Sequence, residues 1–274
     1  MDMIKAGFIG CGNMGGVLAA VAAKSQDEVF AADHNQFKVD QLVETFGCKA
    51  SNSAEIAAEC SLIFLGVKPQ VMDKACAEIK DILSARIKKS PQAEGHFCIV
   101  SMAAGLKIEA FKKMLGNVPV IRIMPNTPCA TGAGTILYSL GEGVTQEDEQ
   151  AFIRLMRPAG IIMRMDEAKI DAGCAVTGCG PAFVYMFIDA MIDGAVRIGI
   201  PRAQAKQFAI QTVLGSAMMC AQSGAAEPAK LKADVCSPGG STIEGVAVLE
   251  DYSLRAALME AIKASYDRTV ELGK

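Results

Sequence analysis

Gly10, Gly12 and Gly15 are spaced Gly-x-Gly-x-x-Gly, behind the apolar run Ala6-Gly7-Phe8-Ile9 and ahead of the helix-forming run Val17–Ala23. A turn of this kind exposes backbone N–H groups at the positive end of a helix, and together they hold a diphosphate. Gly10 permits the tight turn, Gly12 lets the diphosphate approach, and Gly15 lets helix and strand pack closely, with Asn13 and Met14 opening the helix between them. Asp33 comes about twenty residues later, after a second apolar run, Val29-Phe30-Ala31-Ala32, where a carboxylate accepts a hydrogen bond from a ribose hydroxyl. That order of strand, glycine turn, helix, strand and acid points to a dinucleotide cofactor.

A second backbone seat is legible in Val235-Cys236-Ser237-Pro238-Gly239-Gly240-Ser241-Thr242-Ile243-Glu244-Gly245. Its Pro-Gly-Gly turn leads into a helix, and Ser241 with Glu244 matches the Ser-x-x-Glu capping box. The N–H groups of Gly240, Ser241 and Thr242 would then face an anion the size of a carboxylate, with the glycines clearing side chains from the approach. A capped helix with no ligand explains the same residues. Three further turns follow strand-like runs: Gly66-Val67-Lys68-Pro69, Ser101-Met102-Ala103-Ala104-Gly105 and Met124-Pro125-Asn126-Thr127-Pro128. In a doubly wound sheet ligands lie beyond the carboxyl ends of the strands, which puts Lys68 within reach of a ribose or a substrate. It reads equally as a solvated lysine ahead of a turn proline. Small residues at 102–104 let a flat ring approach the backbone, and the two prolines around Asn126 and Thr127 make a rigid loop presenting two polar side chains.

These turns need a sheet to carry them. Strand patterns at 3–9, 28–32, 61–66, 97–101, 118–123, 134–139 and 161–165 alternate with helical patterns near 13–24, 35–46, 53–60, 70–83, 107–115 and 145–157. Such alternation predicts an α/β fold with a doubly wound, mostly parallel sheet of Rossmann type over residues 1–165. The segment Ser84–Gly95, with Arg86, Lys88, Lys89 and Pro91, reads as a solvated helix end and loop. Beyond residue 165 strand signals stop, and Ala- and Met-rich helical patterns cover 181–198, 202–222, 227–235 and 241–273, so 166–274 is expected to form an all-α domain. Leu214, Ala217, Met218 and Ala221 fall at helical spacing, a stripe expected to be buried, and faces this apolar suggest burial against a second subunit.

Composition removes other classes. A net charge of −3 gives no footprint for nucleic acid or an anionic membrane, and with no Trp and few aromatics there is no base-stacking platform. The ten cysteines form no CxxC pair and the histidines are His34 and His96, so no metal site is expected and the thiols read as reduced and buried. The N-terminus lacks a basic leader pattern. The uncharged, apolar stretch between Asp171 and Asp189 is broken by Gly178, Gly180 and Pro181 and is expected to be too short to span a bilayer. A cytoplasmic protein is the expectation.

Taken in order, Gly7–Met14, Val67-Lys68-Pro69, Ser101–Gly105, Met124–Pro128, Gly178-Cys179-Gly180-Pro181-Ala182-Phe183 and Cys236–Thr242 resemble pyrroline-5-carboxylate reductases along the whole chain. The resemblance implies a Rossmann domain, a C-terminal helical domain that interleaves with its twin in a homodimer, and sometimes a larger ring of dimers. It implies hydride transfer from NADPH or NADH to the protonated C=N bond of 1-pyrroline-5-carboxylate, giving proline. The substrate carboxylate would sit at Gly239, Gly240, Ser241 and Thr242, with Val235 and Asn126 nearby, and Thr242 would hydrogen-bond the ring nitrogen. Thr242 and Lys68 are the candidate catalytic residues. Gly10, Gly12, Asn13, Met14, Gly15, Asp33, Asn52, Val67, Lys68, Pro69, Met102, Ala103 and Ala104 would line the cofactor. One departure stands out: many relatives carry Ser, Thr or Arg around an NADPH 2′-phosphate after the second strand, and here Asp33-His34-Asn35 occupies that place. An acid there favours a free ribose 2′-OH, hence NADH, although Lys38 or His34 offer partial compensation. Two rivals share the opening motif. A β-hydroxyacid dehydrogenase would need a lysine base, which Gly173–Phe183 lacks, and a non-catalytic dinucleotide sensor would have no use for a carboxylate seat.

Overall fold

A computed structural model describes residues 4–25, 27–89, 96–222 and 227–272, and the chain falls into two compact units, Met1–Gly178 with Tyr266–Lys274, and Cys179–Ser265. The first unit is built on eight strands: β1 (Lys5–Ile9), β2 (Glu28–Ala32), β3 (Lys49–Ala50), β4 (Leu62–Leu65), β5 (Cys98–Ser101), β6 (Val120–Pro125), β7 (Gly134–Leu140) and β8 (Gly160–Arg164). They lie in the order β3-β2-β1-β4-β5-β6-β7-β8, parallel throughout except for β6 against β7. The chain winds outward from β1 to β3, then returns to β4 on the other side of β1. The crevice at that switch point, beyond the ends of β1 and β4, is where such sheets take ligands.

Helices α1 (Asn13–Ala22), α2 (Gln36–Phe46) and α6 (Gln146–Met156) pack on one face, burying Leu18, Val21, Val39, Leu42, Phe152 and Leu155 against Phe8, Phe64, Val100 and Ile121. Helices α3 (Ser53–Glu59), α4 (Met72–Lys89) and α5 (Ile108–Leu115) cover the other, burying Ile56, Ile79, Leu83, Phe111 and Leu115 against Ile63, Leu65 and Ile99. Central strands buried on both faces explain why β4, and β5 up to the buried Ser101 at its end, read as continuous apolar runs rather than alternating ones. Ser84–Lys89, expected to be a helix end and loop, continue α4; the rest of that predicted loop, 90–95, lies outside the described residues. Arg86 accounts for this, because its guanidinium donates to the Ala57 and Cys60 carbonyls at the end of α3, at 2.7 and 3.0 Å.

Helix α7 (Glu167–Thr177), absent from the predicted elements, closes the first unit. In the second unit α8 (Gly180–Arg197), α9 (Arg202–Gln222), α10 (Pro228–Asp234) and α11 (Ser241–Asp251) precede α12 (Leu254–Leu272), whose last turns belong to the first unit. The single predicted helix over 241–273 is therefore two, broken where Ser253 adopts φ +57°. The expected break at Gly178–Pro181 is slight: Gly178 and Cys179 are right-handed helical, and Pro181 sits in the first turn of α8, where a missing N–H costs nothing. By length and composition Glu167–Arg197 is thus long and apolar enough to cross a membrane, contrary to the expectation above.

The second unit buries little of its own apolar surface. Among the described residues its buried core is Ile192, Ala205 and Ala209, while Leu214 and Met218 of the predicted stripe remain half exposed in the single chain, as does Phe208, and Met186 and Met259 are largely exposed. So small a core cannot offset the conformational entropy of the residues around it, so these faces must be covered by something outside the chain.

Candidate active site

The glycine turn follows β1 directly, and its three glycines do different work. Gly10 has φ +94°, and a Cβ there would lie 2.7 Å from Val67 Cγ1 and 2.8 Å from the Gly66 carbonyl carbon. At Gly15 a Cβ would lie 2.0 Å from the Gly10 carbonyl oxygen, so the first turn of α1 rests on the glycine loop itself. At Gly12 it would meet nothing within 4 Å. Gly12, Asn13 and Met14 keep backbone N–H groups without partners among the described residues, and no side chain caps α1. Unbonded amides at a helix N-terminus, with an open approach at Gly12, fit a diphosphate.

Asp33 holds this turn in place. Its Oδ2 accepts the Cys11 N–H at 2.7 Å and its Oδ1 accepts the Asn35 N–H at 2.8 Å, while Lys38 Nζ lies 3.9 Å from Oδ2. The Cys11 thiol is pushed up to about 12 by burial and by the Asp33 charge, so it is neutral and no nucleophile. Beside Asp33 opens a cleft of about 480 Å³ lined by Gly10, His34, Asn52, Ala54, Val67, Ala75 and Glu78 among others. Asn52 caps α3, its Oδ1 accepting the Glu55 N–H at 2.9 Å. Among the described residues no lysine or arginine lines this cleft; Lys38 lines the neighbouring groove between α1 and α2.

The other predicted cofactor residues stand at the ends of neighbouring strands. Val67 and the exposed Lys68 follow β4, and Pro69 opens a short 3-10 turn ahead of α4. Met102, Ala103 and Ala104 follow β5, where the Met102 N–H donates to Leu65 O at 3.4 Å and the Ala103 N–H to Ser101 Oγ at 3.3 Å. Asn126 follows β6 but is committed inward. Its Nδ2 donates to Thr177 O at 2.9 Å and its Oδ1 accepts the Thr135 N–H at 2.8 Å, tying the end of α7 to the β6–β7 loop and leaving one N–H for any ligand.

In the second unit Ser237–Gly240 form a tight turn, with Pro238 second, Gly239 third at φ +65°, and the Gly240 N–H donated to Ser237 O at 3.0 Å. These are the marks of a type II turn. Two expectations change. Gly240 is the N-cap of α11 and its N–H is spent in the turn, so Ser241 is the first helical residue and forms no capping box with Glu244. The N–H groups left open at this turn are those of Ser241 and Thr242, both exposed and without partners among the described residues. Val235, which ends α10, is also exposed. A capping box does occur elsewhere, at Thr145 and Asp148 of α6, and there His96 Nε2 lies 2.7 Å from Asp148 Oδ2.

One cluster escaped the sequence reading. Arg122 of β6 is fully buried, its Nη2 2.5 Å from Asp171 Oδ1 and its Nη1 3.5 Å from Glu167 Oε1, and Glu167 also accepts the Ile108 N–H at the start of α5 at 2.7 Å. The only signal was a charge inside the apolar run Val120-Ile121-Arg122-Ile123.

Residues 167–272 match the family model for pyrroline-5-carboxylate reductase dimerisation, and residues 5–93 the model for NADP oxidoreductase, coenzyme F420-dependent. The chain is 40% identical to the pyrroline-5-carboxylate reductase of Escherichia coli (strain K12) over 276 residues, 98% of each protein. It is 38% identical to that of Arabidopsis thaliana over 278 residues, covering 100% of this chain and 97% of the relative. Among solved structures it resembles the Plasmodium falciparum enzyme with NADP bound, at a TM-score of 0.85 and 30% identity over 99% of this chain and 100% of that one. The Coxiella burnetii enzyme matches at a TM-score of 0.88 and 29% identity over the whole of both chains. With its motifs in order and its full length matched, the chain belongs to the pyrroline-5-carboxylate reductase family.

Proposed function

We propose that this protein reduces 1-pyrroline-5-carboxylate to L-proline with a reduced nicotinamide dinucleotide. The observation that carries the reading is the presence on one chain of two groups of backbone N–H without partners among the described residues: the Gly12–Met14 amides at the start of α1, and the Ser241 and Thr242 amides behind a type II turn. The first suits a diphosphate and the second a carboxylate. The dinucleotide, when bound, supplies the hydride. Ser241 and Thr242 hold the substrate carboxylate through their N–H groups, and the Thr242 hydroxyl accepts the N–H of the ring nitrogen, fixing which carbon faces the donor. A cyclic imine is basic enough to arrive protonated, so no general acid is needed. His96 is engaged with Asp148 and His34 lines the Asp33 cleft; neither is assigned a step. Lys68 is assigned to the nicotinamide-side ribose, and Met102, Ala103 and Ala104 to the ring's approach. The test is steady-state oxidation of NADH and NADPH with pyrroline-5-carboxylate; absence of turnover with both overturns the reading.

Thr242→Ala is expected to lower kcat about ten- to a hundredfold, the size of one hydrogen bond strengthened in the transition state. Wild-type kcat in that variant removes Thr242 from the reaction. NADH is expected to be used at least as well as NADPH, because a 2′-phosphate would face the Asp33 carboxylate in a cleft that no lysine or arginine lines among the described residues. A strong preference for NADPH in kcat/KM would show that Lys38 and His34 outweigh Asp33. The exposed apolar faces of α8, α9 and α12 are proposed to pack against a second copy, and pairs of such dimers to build a larger ring, which a sizing measurement reads. We place this oligomer in the cytoplasm, with the Glu167–Arg197 stretch at the subunit contact rather than in a membrane.

A further inference from the structure

We propose that Glu78 of α4 is the residue by which this protein selects the adenine base of its dinucleotide, its carboxylate accepting the exocyclic amine of the ring. The inference rests on the cofactor reading above and extends it to a contact that the glycine motif does not address. Two carboxylates, Asp33 and Glu78, line this cleft beside the neutral acceptors of His34, Gln36, Ser51, Asn52 and Ser53. Asp33 is occupied at both oxygens by the Cys11 and Asn35 N–H groups, and Asn52 Oδ1 by the Glu55 N–H. Glu78 makes no hydrogen bond or ion pair among the described residues and is exposed toward the cleft. Its full accepting capacity is open to a ligand.

The surroundings suit a flat base. Ala54, Val67 and Ala75 give the cleft apolar walls, and Ala75 stands one helical turn before Glu78 on the same face of α4. A carboxylate only accepts, and the adenine edge offers one donor group, the amine on C6; its ring nitrogens there are acceptors and repel a carboxylate. Hypoxanthine replaces the amine with a carbonyl oxygen and carries its edge hydrogen on N1 instead, so a carboxylate held at the place of the amine would lose a charge-assisted hydrogen bond and face a second acceptor.

The experiment compares NADH with reduced nicotinamide hypoxanthine dinucleotide on the full-length protein, by kcat/KM with pyrroline-5-carboxylate and by Kd from nicotinamide fluorescence. The wild type is expected to favour NADH about tenfold or more in both readouts. Glu78→Ala should bring the ratio close to one by weakening NADH alone. Glu78→Gln, which can turn its amide N–H toward the carbonyl, should recover the hypoxanthine cofactor. A wild-type ratio near one, or a ratio that Glu78→Ala leaves unchanged, overturns the proposal; a merely structural role would weaken both dinucleotides in parallel. Normal turnover with no base preference overturns this inference and leaves the proposed function standing. Binding of both dinucleotides without turnover overturns the function, and the Kd ratio still decides on Glu78.

Discussion

Gly15→Ala should abolish tight dinucleotide binding, weakening it more than about a hundredfold, and should destabilise the fold by about 3 kcal/mol. The added methyl would sit 2.0 Å from the Gly10 carbonyl oxygen, a backbone atom that no rotamer change can move aside. Either α1 lifts from the loop or the loop opens, and in both cases the amides of Asn13 and Met14 lose their alignment. Gly12→Ala provides the contrast. Gly12 has φ −69°, which any residue adopts, and a Cβ there meets no protein atom. That variant is expected to keep the wild-type Tm without ligand while its dinucleotide Kd rises at least tenfold, since the methyl fills the space left for the diphosphate. Thermal unfolding with and without NADH separates the two. Equal Tm values for Gly15→Ala and wild type would contradict the packing argument, and an unchanged Kd in Gly12→Ala would put the diphosphate elsewhere.

Arg122→Met is expected to cost about 3–5 kcal/mol, the usual penalty for removing one partner of a buried ion pair. Methionine keeps much of the volume but strands Asp171 and Glu167, whose side chains are 18% and 27% exposed. Glu167 would retain the Ile108 N–H at the start of α5, where a negative charge is favoured by the helix dipole; Asp171 would be left without its cation. The double variant Arg122→Met, Asp171→Leu should therefore regain more than half of the loss. Denaturant unfolding of the single and double variants gives both numbers. A single variant within about 0.5 kcal/mol of wild type would show that the cluster contributes nothing net, as some buried pairs do not. Because Asn126 and Arg122 both grip α7 from the β6 end, the loss should also be seen as faster amide exchange in that helix.

Much of this was readable in the residues themselves, for definite reasons. The glycine turn is a local object: Gly-x-Gly-x-x-Gly needs only the strand before it and the helix after it, and the structure has the tight turn at Gly10 and open space at Gly12. The parallel sheet was legible because strands buried on both faces must be apolar throughout, which separates 62–65 and 98–101 from any helix nearby. Helix α9 begins at Arg202, where it was predicted to begin, because Pro201 marks that end; residues 223–226, beyond its predicted C-terminal limit, lie outside the described residues.

What failed to show in the sequence depends on partners distant along the chain. Asp33 reads as a ribose ligand, and only the fold brings the Cys11 N–H, 22 residues away, onto one of its oxygens. Ser241 and Glu244 have capping-box spacing, yet the type II turn hands the capping position to Gly240, one residue earlier. The break between α11 and α12 falls at Tyr252 and Ser253, with neither glycine nor proline to announce it. Arg122 meets its carboxylates 45 and 49 positions on. Spacing along a chain records local backbone geometry, so turns, caps and alternation are encoded there. Which charge is neutralised, and which amide is left open for a ligand, follows from atoms that only folding brings within 3 Å of one another.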